Sequence, residues 1–165
     1  MKAARQICIA FACSCAVCTL LGGCSSTPQR LPPTPQEAPA VAVGSEIAMR
    51  AISLLGAPYK FGGAGPTAFD CSGLVRFVHW ELGINVPRTA AEQFTAAKPV
   101  PLSAMAPGDL LFFRVDGKRI SHVAIYAGEG RFIHAPQAGR PVEFRSIEDR
   151  FYRPRLAGVG RFVLN

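Results

Sequence analysis

Beyond position 24 the sequence of 165 residues contains one cysteine, Cys71, although there are six in all. A lone thiol excludes a disulfide framework for that part of the chain, and the missing paired-cysteine spacing counts against a thiolate metal site. No uninterrupted apolar run reaches the roughly 20 residues that a membrane helix needs. No Lys/Arg cluster with interleaved aromatics occurs either, so the formal charge of +7 does not indicate nucleic acid as a partner. The glycine-rich stretch from Gly62 to Pro66 lacks the Gly-Lys-Ser/Thr ending of a phosphate cradle.

What is present at the start is an export signal. Lys2 and Arg5 precede an uncharged run from Gln6 to Gly23, the layout of a secretory signal. It ends in Leu21-Gly22-Gly23-Cys24-Ser25-Ser26, which resembles a bacterial lipobox. That resemblance implies removal of residues 1–23, lipid attachment to Cys24 and, with no Asp after it, retention at the periplasmic face of the outer membrane. Cys8, Cys13, Cys15 and Cys18 would leave with the signal. Loss of Lys2 and Arg5 brings the charge to about +5, which suits an anionic envelope polymer or a membrane surface. From Ser25 to Val43 the composition shifts to Pro, Ala, Gln and Ser, with Pro28, Pro32, Pro33, Pro35 and Pro39. Residues 24–43 therefore read as a lipidated cysteine and an extended linker, and 44–165 as a single domain. At about 3.1 Å per residue the linker would reach on the order of 60 Å.

Leu74, Phe77, Val78 and Leu82 recur at helical spacing and Gly83 offers a stop, so the pattern predicts a helix from Cys71 with Asp70 as its N-cap. A thiol in the first helical turn meets unpaired N–H groups and the positive end of the helix dipole, both of which favour the thiolate. In an exported chain, where structural cysteines pair, such a thiol points to a nucleophile. An earlier helix reads from Ser45 through Leu55, ended by Gly56-Ala57-Pro58, and Thr89-Ala90-Ala91-Glu92 has the form of a capping box directly after Arg88. The loop from Gly62 to Pro66 reads as close backbone approach beside Cys71, carrying Tyr59 into the same neighbourhood.

From Leu110 the period changes. Leu110 to Val115, Ser121 to Ala127, Phe132 to Ala135, Val142 to Ser146 and Gly160 to Leu164 read as strands, with Asp116-Gly117 as a hairpin turn. Helices first and an antiparallel sheet second give an α+β class. His122, Ala124 and Tyr126 share one strand face. A three-residue loop, Gly128-Glu129-Gly130 with Gly130 left-handed, pairs Tyr126 with Phe132 and Ala124 with His134, which puts His134 on the His122 face. A two-residue turn puts the histidines on opposite faces instead. Cys71 as nucleophile, His122 as base and His134 as the group orienting His122 make a set for acyl transfer, with the Cys71 N–H and the Tyr59 hydroxyl at the oxyanion. Zinc held by Cys, His and His with an open position is the chemical rival. His79 lies about 12 Å along the helix from Cys71, too far to be the base. Asp70 reads as a cap and Asp109 as a turn former.

Tyr59-Lys60-Phe61-Gly62-Gly63, Phe69-Asp70-Cys71-Ser72-Gly73, Pro87-Arg88-Thr89 with Gln93, Pro107-Gly108-Asp109-Leu110, Ser121 to Tyr126 and Phe132-Ile133-His134-Ala135 follow in order. Over residues 45–165 this series resembles the NlpC-type cell-wall cysteine peptidases of bacteria. The resemblance implies a compact papain-like domain with helices packed on a central antiparallel sheet, working as a monomer without cofactor or metal. It further implies hydrolysis of peptidoglycan stem peptides through Cys71, His122 and His134, with Tyr59, Ser72 and Arg88 on the oxyanion or substrate side. The short lipoprotein layout is similar to members that open D-alanyl–meso-diaminopimelate cross-links. Phe61 stands where a tryptophan is common and Pro136 where a serine is usual, and both bear on the scissile bond. A D-glutamyl–diaminopimelate endopeptidase, a non-hydrolytic lipid-anchored peptidoglycan-binding scaffold and an acyltransferase are the alternatives.

Overall fold

The computed structural model describes residues 37–162. The expected signal segment, Cys24 and the expected linker as far as residue 36 lie outside the described residues. Three helices, α1 (Glu37–Ser53), α2 (Cys71–Glu81) and α3 (Ala90–Ala96), precede the whole sheet. The strands are β1 (Lys98–Val100), β2 (Leu110–Phe113), β3 (His122–Gly128), β4 (Arg131–His134), β5 (Glu143–Ser146) and β6 (Leu156–Arg161). They form one antiparallel sheet in the order β1-β6-β2-β3-β4-β5, so the class is α+β. No helix among the described residues is long and apolar enough to cross a membrane.

α1 starts well before Ser45. Residues 37–43, expected as extended linker, are helical because Glu37, Ala38, Ala40 and Ala42 favour helix. Pro39 falls in the first turn, where a missing N–H leaves no bond unmade. β1 is an addition to the expected strands. Its Pro99 sits on an edge strand opposite Gly160, a place in a sheet where proline is tolerated.

The strand alternation sorts the core onto two faces. Leu110, Phe112, Val123, Ile125 and Ile133 meet Ile47 and Ala51 of α1 and Leu74 and Val78 of α2. Leu111, Phe113, Ala124, Phe132 and Val159 form a second cluster on the other face, with Tyr126 and Tyr152 against it. Each Val, Leu, Ile or Phe among them, when fully buried, contributes about 1.5–3 kcal/mol. Asp109 is a turn former, accepting from Ala106 N, and more: its carboxylate, fully buried, takes Arg161 Nε at 2.5 Å and ties β2 to β6.

Asp116-Gly117 does not make a two-residue hairpin. β2 ends at Phe113 opposite His122, and the eight residues between them form a loop folded onto the Ser121 hydroxyl, which accepts from Val115 N and Asp116 N. The β3–β4 hairpin corrects the expectation in a different way. Glu129 (φ 52°) and Gly130 (φ 69°) form a two-residue turn with both residues left-handed, and Gly128 pairs with Arg131. A bulge between Tyr126 and Gly128 adds one residue to β3, which restores the Tyr126–Phe132 pairing and returns His134 to the face of His122.

Candidate active site

Cys71 opens α2. Asp70, in extended conformation at the N-cap (φ −94°, ψ 176°), accepts from Gly73 N at 2.7 Å and so fixes the first turn. The glycine-rich loop lies directly against that turn. Asp70 N donates to Gly63 O at 2.9 Å, Gly62 N donates to Asp70 Oδ2 at 3.0 Å, and a Cβ on Gly73 would stand 1.9 Å from Gly63 O. Only a residue without a side chain permits that approach. Tyr59 follows because Phe69, beside Asp70, bridges to it.

Asp70 does more than cap. Arg88 NH2 reaches Asp70 Oδ2 at 2.5 Å and Arg88 NH1 reaches Asp70 Oδ1 at 3.0 Å, a two-pronged pair. Ser72 Oγ donates to Asp70 Oδ1 at 3.2 Å and accepts from Arg88 NH1 at 3.0 Å. Ser72 and Arg88 thus hold the helix start together. Burial works to raise the Asp70 carboxyl, but the Arg88 guanidinium and the N–H groups of Gly73 and Gly62 outweigh it and hold it below the usual carboxylate range.

The thiol behaves otherwise than its position suggests. Burial pushes the Cys71 thiol up and the Asp70 charge adds to the rise; hydrogen bonds from Val123 and Ser72 only partly counter them. Helix N–H groups therefore do not suffice to keep a resting thiolate, and a base has to take the proton. Burial, followed by Cys71 once ionised and by the Asp70 charge, likewise raises Tyr59, which stays a neutral O–H donor.

His122 and His134 meet as edge and face, His122 Nε2 lying 2.8 Å from His134 Nδ1. Both are buried. Burial first, and then the neighbouring His134, lower His122 to about 3; burial and the nearby Arg145 and Arg140 lower His134 to about 3. Both rings are neutral at pH 7. The bond between them occupies His122 Nε2 and leaves His122 Nδ1 for a proton from elsewhere.

Cys71, Asp70, Ser72, Tyr59, Arg88 and His122 line a single cleft of about 660 Å³, while His134 supports His122 from behind. Tyr152 is a site residue that sequence reasoning missed. Its ring lies 5.7 Å from that of His122 and 5.0 Å from that of His134, covering both from the cleft side. It comes from the irregular link between β5 and β6, where no periodicity marks it. His79 is buried elsewhere, donating from Nδ1 to Val75 O at 2.7 Å. No cluster of three or more His, Cys, Asp or Glu side chains suited to a metal ion occurs among the described residues.

The NlpC/P60 family model matches residues 56–161, which include every one of these cleft residues. Murein DD-endopeptidase MepH of Escherichia coli is 38% identical over 114 residues, covering 66% of this chain and 42% of that protein. The gamma-D-glutamyl-L-lysine dipeptidyl-peptidase of Bacillus subtilis is 40% identical over 109 residues, covering 65% of this chain and 37% of its own length. An NlpC/P60 family protein from Bacillus cereus superposes with a TM-score of 0.70 at 32% identity, over 73% of this chain and 40% of that one. The chain thus spans less than half of each of these three, and the matched part holds the thiol, both histidines and the sheet that positions them. The chain belongs to the NlpC/P60 family.

Proposed function

We propose that the protein is a peptidoglycan hydrolase, a cysteine endopeptidase that opens D-alanyl–meso-diaminopimelate cross-links through Cys71, His122 and His134. The observation that carries the reading is the 2.8 Å contact of His122 Nε2 with His134 Nδ1 on the wall of the cleft that Cys71 lines. His122 Nδ1 takes the thiol proton as Sγ attacks the scissile carbonyl, and a tetrahedral oxyanion forms. The Cys71 N–H and the neutral Tyr59 hydroxyl face that oxyanion. Collapse expels the amine, which receives the proton from His122, and leaves a thioester on Cys71. Water, deprotonated by His122, then hydrolyses the thioester and regenerates the thiol. Ser72 and Arg88 act through Asp70, keeping the thiol end of α2 in place.

The protein is further proposed to work as a monomer, tethered through lipidated Cys24 to the periplasmic face of the outer membrane. The lipobox-like Leu21-Gly22-Gly23-Cys24 supports this anchor. A second bond is favoured by a specific observation. The relative from Bacillus subtilis, named for gamma-D-glutamyl-L-lysine cleavage, is as similar to this chain as MepH is. That similarity supports a D-glutamyl–diaminopimelate alternative.

Mass-spectrometric product analysis with defined monomeric and cross-linked muropeptides separates them. Wild type is expected to convert dimers to monomers, and Cys71→Ala to lose at least about 10³-fold of that rate. Cleavage inside monomer stems would move the assignment to the second bond, and no Cys71-dependent product would sink the hydrolase. A fatty-acid label present on the wild-type chain and absent from Cys24→Ser tests the anchor.

A further inference from the structure

His134 has a second ring nitrogen, and its surroundings are specific. The residue is fully buried, and Nε2 makes no hydrogen bond. Glu143 Oε1 lies 3.6 Å from it, and the Asp149 carboxylate acts on the ring as well. The pairing of β4 with β5 sets His134 directly opposite Glu143, so the approach is built into the sheet. Glu143 is pinned in turn: its Oε1 accepts from Arg140 NH2 and from Arg145 Nε, the latter at 3.0 Å. Arg145 also reaches Asp149 Oδ2 at 3.8 Å.

Two arrangements of one proton fit the bond between the neutral imidazoles. If His122 Nε2 donates to His134 Nδ1, His122 Nδ1 keeps a lone pair for the thiol proton, and His134 carries its own proton on Nε2. If His134 Nδ1 donates instead, His122 carries its proton on Nδ1 and cannot act as a base, while a lone pair on His134 Nε2 faces the Glu143 carboxylate. The carboxylate attracts the N–H and repels the lone pair. We propose that Glu143 is a positioning residue that selects the productive histidine tautomer, leaving His122 Nδ1 free to accept the proton of Cys71. The two arginines give the arrangement its second property. They neutralise Glu143 and lower His134, so the proton taken from the thiol stays on His122 instead of passing down the chain.

The inference rests on the Cys-His-His reading, and its test is separable from it. Nitrogen-15 NMR of histidine-labelled protein identifies which ring nitrogen bears the proton without any turnover. In wild type His122 is expected to be protonated at Nε2 and His134 at Nε2. Glu143→Leu removes the acceptor and should shift His122 toward the Nδ1–H form, lower kcat about 10-fold and leave KM unchanged. Glu143→Gln, close to glutamate in shape and retaining one acceptor oxygen, should recover most of the wild-type pattern and rate. If Glu143→Leu does not fold, the glutamine variant decides, with an intermediate tautomer ratio and a kcat loss of about 3-fold expected. Asp149→Asn, which removes the other carboxylate acting on His134 and leaves Glu143 and its arginines in place, is the control and should leave the tautomers as in wild type. An unchanged tautomer pattern and kcat in the folded Glu143 variants would overturn the proposal. So would a change reproduced by Asp149→Asn alone. If wild type has no hydrolytic activity, the functional reading fails while the ring-nitrogen signals still decide the part played by Glu143.

Discussion

α2 and α3 begin with the same capping chemistry and differ in how far it reaches. Both N-cap residues are extended, Asp70 at φ −94° and Thr89 at φ −102°, and each accepts from the backbone N–H three residues on. At α3 everything is local: Thr89 and Glu92 bond each other in a capping box on the surface. At α2 the buried carboxylate also takes Gly62 N, Ser72 Oγ and both arms of Arg88, drawn from three parts of the chain. A hydroxyl is nearly used up by capping, whereas a carboxylate has about four acceptor sites and can cap a helix while fastening a loop and a distant cation. The helix that carries the nucleophile has the cap with spare capacity.

Arg88→Leu should break this contrast most severely. It leaves Asp70 charged with its main partner gone, at an expected cost of about 2–4 kcal/mol in denaturant unfolding; Arg88 is 32% exposed, so a fully buried pair would cost more. A loss under about 1 kcal/mol would put the two caps in one class. Asp70→Asn keeps the capping oxygen and removes the charge, with about 1–2 kcal/mol lost. Because the Asp70 charge helps to raise the Cys71 thiol, the variant should also be alkylated by iodoacetamide with a pH midpoint below that of wild type. An unmoved midpoint would cut the electrostatic link between cap and nucleophile.

Acid sharpens the comparison further. Asp70 is held below the carboxyl value of the unfolded chain, so its contribution is complete above about pH 3.9 and disappears as pH falls through the lower folded value. The buried histidines refuse protons that the unfolded chain takes up below about pH 6.5, so wild type and variants alike lose stability on acidification. The Asp70 part is the difference between curves: Arg88→Leu should flatten the limb below pH 4, and Thr89→Ala should not. The smallest effect is that of Thr89→Ala itself, about 1 kcal/mol of stability with Cys71 alkylation unchanged.

Local chemistry was legible in the sequence, and long-range chemistry was not. Asp70 and Thr89 announce their caps within four residues, and helical spacing marks α2 to within a residue of its end. The glycine loop is legible beside Cys71 because its glycines allow close backbone approach and it lacks the ending of a phosphate cradle. The raised Cys71 thiol is not legible in the sequence, because its surroundings depend on a distant part of the chain, β3, whose Val123 meets the thiol. Arg88 joins Asp70 across 18 residues and Glu143 meets His134 through sheet register, neither of which any motif encodes. Pro99 and Pro101 masked β1, since proline removes ladder donors everywhere except at an edge. The pairing of Tyr126 with Phe132 matches the sequence expectation, but through a shorter turn and a strand lengthened by a bulge, which residue types alone do not mark.

That count works as a parity check on the chain. The two-residue turn and the bulge each invert the face of every side chain beyond them, and together they cancel. The left-handed backbone at Gly128 and Gly130 restricts residue types at the hairpin tip, and its length is not free to change by one either. A single deletion or insertion between Tyr126 and Phe132 turns His134 to the opposite face and exchanges it with Ile133. Two compensating changes restore the site, so relatives that differ in length here are expected to differ in steps of two.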